Sequence, residues 1–176
     1  MTFSKLAAYG LSRWLLLGCC LAGLYLSISA PARADSKAVI DAQAEQALER
    51  LRAHNADAAG LLGKARGVLV FPDVVKMGFG VGGQYGEGAL LVGGEAVAYY
   101  ATSGASFGLQ LGAQYKSEVI LFMSDEALAE FRASHGWKVG VDSSVAIVKL
   151  GAGGGFDSTQ LTQPIIAFIF SNEGLM

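Results

Sequence analysis

Between Met77 and Tyr85 the chain reads MGFGVGGQY, and alternate positions in this stretch are of two different kinds. Laid out as a strand, one face carries Met77, Phe79, Val81, Gly83 and Tyr85, and the other carries Gly78, Gly80, Gly82 and Gln84. One face is apolar; the other is almost bare backbone. A second stretch repeats the pattern, with Phe107, Leu109, Leu111, Ala113 and Tyr115 on one face and Ser106, Gly108, Gln110, Gly112 and Gln114 on the other. FGVGGQY and FGLQLGAQY align with a two-residue insertion, which preserves the alternation. Bare faces of this kind permit close approach of another element, or the bending of a tightly curved sheet.

Gly78, Gly80 and Gly83 also spell G-x-G-x-x-G, the phosphate loop of dinucleotide-binding folds. That loop needs a tight turn after a strand, a helix N-terminus aimed at the pyrophosphate, and an acidic residue about 20 positions on. No helix is expected after Gly83, and the residues near that distance are Thr102, Ser103 and Gly104. No nucleotide is therefore expected.

Upstream of the glycines the period is helical. From Ser36 to Gly63, Val39, Ile40, Ala44, Ala47, Leu48 and Leu51 recur at three- and four-residue spacing, with Asp41, Glu45, Glu49 and Arg52 on other faces. His54-Asn55-Ala56-Asp57 interrupts the stretch, and Asn55 or Asp57 can cap a short second helix closed by Gly63. From Arg66 onward the period is two. Strands are expected over 67–71, 77–85, 89–92, 96–102, 106–115, 118–123, 137–150 and 165–170, with Pro72-Asp73 ending the first. Turns are expected at Gly86-Glu87-Gly88, Gly93-Gly94 and Ser103-Gly104. One helix interrupts the strands, from Asp125 to Ser134, with Ser124 as N-cap, Asp125 and Glu126 in its first turn, and Gly136 as its stop. The expected fold class is α+β: a strongly bent antiparallel sheet, open or barrel-like, with amphipathic N-terminal helices and one helix inserted between strands. An outer-membrane barrel is a weaker reading, because such barrels need eight or more strands of about 9–11 residues.

Residues 1–34 read as a signal peptide. Lys5 and Arg13 precede an apolar run from Trp14 to Ile28, and Ala32-Arg33-Ala34 is a small-x-small cleavage site. The expected mature chain starts at Asp35 and is a single domain, 35–176, exported to the periplasm or secreted and peripheral on a membrane. The alternative is a lipoprotein anchored through Cys19, although the apolar segment between Arg13 and that cysteine is short for a lipobox. The whole chain of 176 residues has 13 Lys+Arg and 15 Asp+Glu. Losing Lys5, Arg13 and Arg33 leaves ten basic residues and a net charge of −5. General attraction to nucleic acid or anionic lipid is then absent, so any phosphate binding must come from a local patch. Cys19 and Cys20 are the only cysteines and leave with the signal, so neither a disulfide nor thiol chemistry is expected.

Residues suited to catalysis are scarce. His54 lies in the helix break and His135 at a helix end, where an imidazole caps carbonyls or faces solvent. Without a His-x-x-x-His or Cys/His cluster, no zinc site is expected. Gly104-Ala-Ser106-Phe-Gly108 has the spelling of a hydrolase nucleophile elbow, but that elbow passes from strand into helix and here strand alternation continues. The chain reads as a non-enzyme with no cofactor and no metal.

Five segments together resemble the SYLF domain family, also described as the YSC-type actin-binding domain: KARGVLVFPDVVKMGFGVGGQYGEG from Lys64, YYATSGASFGLQLGAQ from Tyr99, LFMSDEALAEF from Leu121, GWKVGVDSSVAIV from Gly136 and PIIAFIFSNEGLM from Pro164. The resemblance implies binding to membrane lipid, phosphoinositides in eukaryotic members, and actin binding in some of them. For this exported, bacterial-looking form it implies a non-enzymatic module of the cell envelope that binds anionic phospholipid. The alternative is a protein-interaction or structural module. The expected lipid contacts are Lys64, Arg66 and Lys76 at the headgroup, with Ile40 and Leu48 as apolar contacts from the first helix.

Overall fold

The hairpin turn at Gly93-Gly94 organises the sheet. Both glycines have positive φ, 64° and 89°, the conformation required of the two central residues of a type I′ hairpin. The strands it joins are far longer than the alternation suggests. The computed structural model describes residues 36–134, 145–150 and 162–171. In chain order its elements are α1 (Lys37–His54), α2 (Ala56–Leu62), β1 (Gly67–Val92), β2 (Glu95–Phe122), α3 (Asp125–Ala133), β3 (Val145–Leu150) and β4 (Ile165–Ser171).

The strands form one sheet of order β1-β2-β4-β3. The two expected turns at Gly86-Glu87-Gly88 and Ser103-Gly104 are not turns: Gly86 pairs with Thr102 and Gln84 with Gly104 inside the continuous β1–β2 ladder. Nor does Pro72-Asp73 end a strand. The register shifts between Phe71↔Glu118 and Val74↔Lys116, so Pro72 and Asp73 face Ser117 in a β-bulge, where a residue without an N–H interrupts no ladder bond. The two glycine-rich repeats lie opposite each other, with Gly78 paired to Gly112 and Gly80 to Gly108. The sheet also departs from the purely antiparallel expectation, because β3 and β4 run parallel while β1–β2 and β2–β4 are antiparallel. Parallel neighbours need a crossover of a dozen or more residues, a length that the segment between Leu150 and Ile165 supplies. The sheet is not closed into a barrel: among the described residues β1 and β3 are its two edges.

A straight β1 would hold Val70 and Gly88 about 60 Å apart. Instead they touch. A Cβ on Gly88 would overlap the Val70 carbonyl oxygen and the Phe71 ring, and one on Gly86 would lie 2.9 Å from the Asp73 carbonyl oxygen. The β1–β2 ribbon therefore doubles back on itself through 78–83 and 104–112, and the glycines at 86 and 88 let its outer arm settle on the bulge. The inner layer so formed contains Leu69, Phe71 and Val74 beneath Leu90, with Ala98 and Tyr100 from the returning β2.

Two helical elements hold the doubled ribbon. On one side α1 buries Ile40, Ala44, Ala47, Leu48 and Leu51. Most of these pack with Val70, Val119, Leu121, Ile166 and Phe168. Its Asp41 accepts the Tyr99 hydroxyl at 2.9 and 3.0 Å, and Lys37 lies 5.1 Å from the Tyr99 ring centroid, which ties α1 to the returning arm. Asn55 caps α2 by accepting from the Ala58 N–H at 2.8 Å. On the opposite side α3 begins at Ser124, whose hydroxyl accepts from the Ala127 N–H at 3.2 Å. Its Phe131 ring sits 4.9 Å from Phe122 at the base of the sheet and 5.0 Å from Tyr100 on the arm. The helix stop at Gly136 and the strand portion 137–144 lie outside the described residues.

Candidate functional site

Beyond the Pro72-Asp73 bulge, strand alternation puts Lys76 on the same face as buried Val74. Lys76 pairs with Gln114 and Val74 with Lys116, so the two lysines stand diagonally across the ladder. Lys116 in turn pairs with Ser171 on β4, and Lys149 on β3 pairs with Ile169. Parity thus brings Lys76, Lys116 and Lys149 from three strands to one end of one sheet face. They line a cleft of about 530 Å³ together with Gln84 and Gln114, where the ribbon starts to double back. That volume lies in the range of small-molecule sites, about 300–1,000 Å³.

The cleft is locally cationic in a chain that is acidic overall. Lys116 is paired with Glu118 at 2.7 Å, and both side chains are largely buried, 27% and 10% exposed. Among the described residues Lys76 and Lys149 form no ion pair. Lysine side chains lining a partly enclosed space can hold an anion as point charges.

Only one of the five expected lipid contacts lies in this cleft, Lys76. Lys64 is exposed just after α2. Arg66 pairs with Asp125 at 3.6 Å across an exposed junction between β1 and α3. Ten residues of strand, about 30 Å when extended, run from Arg66 to Lys76, so the structure does not gather these cations into one patch. Ile40 and Leu48 are 5% and 6% exposed. In this conformation they face the protein core, where their spacing on α1 is explained by packing. Lys116 and Lys149, by contrast, were not singled out by sequence reasoning. His54 lies at the end of α1, and His135 lies outside the described residues.

No helix among the described residues is long and apolar enough to cross a membrane. Residues 103–176 match the family model Ysc84, described as Las17-binding protein actin regulator. The matched segment starts within the returning part of β2 and includes Lys116 and Lys149, whereas Lys76 comes from the preceding strand. Comparison with curated proteins finds no match.

Proposed function

With residues 103–176 assigned to the Ysc84 (SYLF) family, we propose that the protein is a non-enzymatic module of the cell envelope that binds anionic phospholipid. The observation carrying this reading is the cleft in which Lys76, Lys116 and Lys149 converge. A phosphate-bearing headgroup is the ligand that suits it: anionic, small enough to enter, and attached to a surface that many copies can share. The chain is exported on residues 1–34 and acts in the periplasm or outside the cell, held at the membrane peripherally. Long-range attraction is weak in an acidic protein, so binding depends on short-range contact and on ionic strength.

The test is flotation with phosphatidylglycerol vesicles and with phosphatidylcholine vesicles. The mature protein floats with the first and not the second at low salt. Each lysine near an anionic surface contributes about 1 kcal/mol, so Lys76→Ala/Lys149→Ala weakens binding about thirtyfold. Absence of flotation with anionic vesicles, or undiminished binding by the double variant, overturns the reading. A protein-interaction module is the second reading, favoured by the family description, which names a protein partner. It takes precedence if vesicles of neither kind are bound.

A further inference from the structure

We propose that Glu118 is a built-in competing anion that withholds Lys116 from the ligand, so that the cleft offers a headgroup two cations and not three, an inference that rests on the phospholipid reading above. Glu118 is not among the side chains lining the cleft; its place comes from the register of the sheet. It pairs with Phe71 on β1 and with Ile169 on β4, and Ile169 pairs with Lys149 on β3. Directly opposed residues share a face, so Phe71, Glu118, Ile169 and Lys149 form one row across the sheet. The neighbouring row on that face runs through Val74, Lys116 and Ser171. The carboxylate therefore stands behind the cleft, with Lys116 beside it along β2 and the backbone of Lys149 two strands, about 10 Å, away.

Glu118 is buried, and its neighbours on that face are apolar: Phe71 and Ile169 across the ladder and Ile120 along the strand. None of these side chains can donate a hydrogen bond to it. A carboxylate so placed needs a partner, and Lys116 supplies one at 2.7 Å. A phosphate that claimed Lys116 would leave Glu118 buried, unpaired and beside a second negative charge. Breaking a buried pair in this way costs more than one lysine at an anionic surface returns. Lys116 therefore stays with Glu118 when the cleft is occupied. Lys76 and Lys149, which form no ion pair among the described residues, carry the headgroup. Glu118 thus sets how strongly the cleft binds without touching the ligand.

The experiment measures binding of the mature protein, Glu118→Gln and Lys116→Met/Glu118→Gln to phosphatidylglycerol vesicles over a range of salt concentrations. Phosphatidylcholine vesicles serve as the zwitterionic control, and thermal unfolding is followed in parallel. Glu118→Gln keeps the size of the side chain and removes its charge, which frees Lys116 for the headgroup. Binding is expected to tighten about fivefold at low salt, the effect of one further lysine at an anionic surface, with a steeper salt dependence. Adding Lys116→Met is expected to take that gain away. A gain that survives in the double variant overturns the inference, because it then comes from the overall charge and not from Lys116. Equal or weaker binding by folded Glu118→Gln also overturns it and leaves the cleft reading standing. A second measurement needs no variant: lysine acylation of the mature protein, read by mass spectrometry with and without vesicles. Vesicles are expected to protect Lys76 and Lys149 and to leave the labelling of Lys116 unchanged. Protection of Lys116 equal to that of Lys149 overturns the inference. If neither the mature protein nor Glu118→Gln binds phosphatidylglycerol, the phospholipid reading fails and the inference falls with it.

Discussion

Gly88 lies against the carbonyl of Val70, an earlier residue of the same strand, with no room between them for a methyl group. Gly88→Ala must push the returning arm off the bulge or distort the Phe71 ring. The expected cost is about 1–3 kcal/mol. Gly60→Ala has the opposite sign: Gly60 sits in α2 with nothing within 4 Å of the added atom, and helix propensity favours alanine by up to about 1 kcal/mol. Urea denaturation of the two variants checks the pair, and equal effects would show that the arm does not rest on Val70.

The bulge has its own fastening. Ser117 is buried, donates its hydroxyl to the Pro72 carbonyl at 2.6 Å and accepts from Arg50 at 3.2 Å, linking α1 to β1 through β2. Ser117→Ala removes both bonds at once. A loss of about 1–3 kcal/mol is expected in thermal or urea unfolding. A change under about 0.5 kcal/mol, of the size seen at ordinary surface positions, would show that backbone pairing alone holds the bulge.

Partial burial against α1, the hydrogen bond to Asp41 and the Asp41 charge raise the Tyr99 hydroxyl above its ordinary pKa of 10.0, in that order of size. Tyr85 is raised as well, first by its hydrogen bond to Glu87. For a raised group the stabilisation is complete below the unfolded value and is lost as pH rises through the folded one. Melting temperature should therefore decline above about pH 10. Tyr99→Phe should shrink that alkaline decline, and an unchanged slope would exclude the Tyr99–Asp41 bond as its source.

At the start of α3 the sign reverses. The Glu126 N–H, then the Ser124 hydroxyl, hold the Glu126 carboxyl below its ordinary pKa of 4.5, with Arg66 adding a smaller effect. That stabilisation is present above the unfolded value and disappears as pH falls through the folded one. Ser124→Ala is expected to cost about 1 kcal/mol near neutral pH through the lost cap to Ala127. It should also lessen the acid-induced loss below about pH 4.5. Chemical denaturation at neutral and acidic pH reads both effects.

The two groups of cations differ in their consequence. Lys64→Ala/Arg66→Ala removes an exposed residue and a solvent-screened ion pair, and should leave vesicle binding within about twofold of the unaltered protein. Lys76→Ala/Lys149→Ala should weaken it about thirtyfold at low salt. Flotation of both variants on one vesicle preparation ranks them, and the reverse order would return the headgroup to the α2–β1 junction.

Local chemistry was legible wherever a single residue decides the backbone. Asn55 and Ser124 cap the helices expected of them, and the Gly93-Gly94 turn follows from two adjacent residues able to take positive φ. The alternation around the glycines likewise identified strands with one bare face. Whether that bareness serves a turn, a bend or a contact is not written locally, because a glycine permits all three. Counting back from Val92↔Glu95 without bulges would place Lys76 opposite Leu111. Two register shifts, between Leu90 and Leu91 and between Gly78 and Gly80, bring Gln114 there instead, and with it Lys116 to the diagonal.

By itself, then, the sequence determined where the described helices lie and start, that the chain from Gly67 turns to strand, and that Ile40 and Leu48 lie on an apolar stripe, but not where the two long strands begin and end. The tertiary structure alone decided that the stripe faces the sheet, that the ribbon doubles back at its glycines, and that Lys149 joins Lys76 and Lys116. Caps and hairpin turns depend on bonds between residues a few positions apart, so their causes are local. The cleft depends on the parallel pairing of β3 with β4 and on the accumulated register of a long ladder. Those are set by which distant apolar faces bury each other best, a choice made by the whole chain at once.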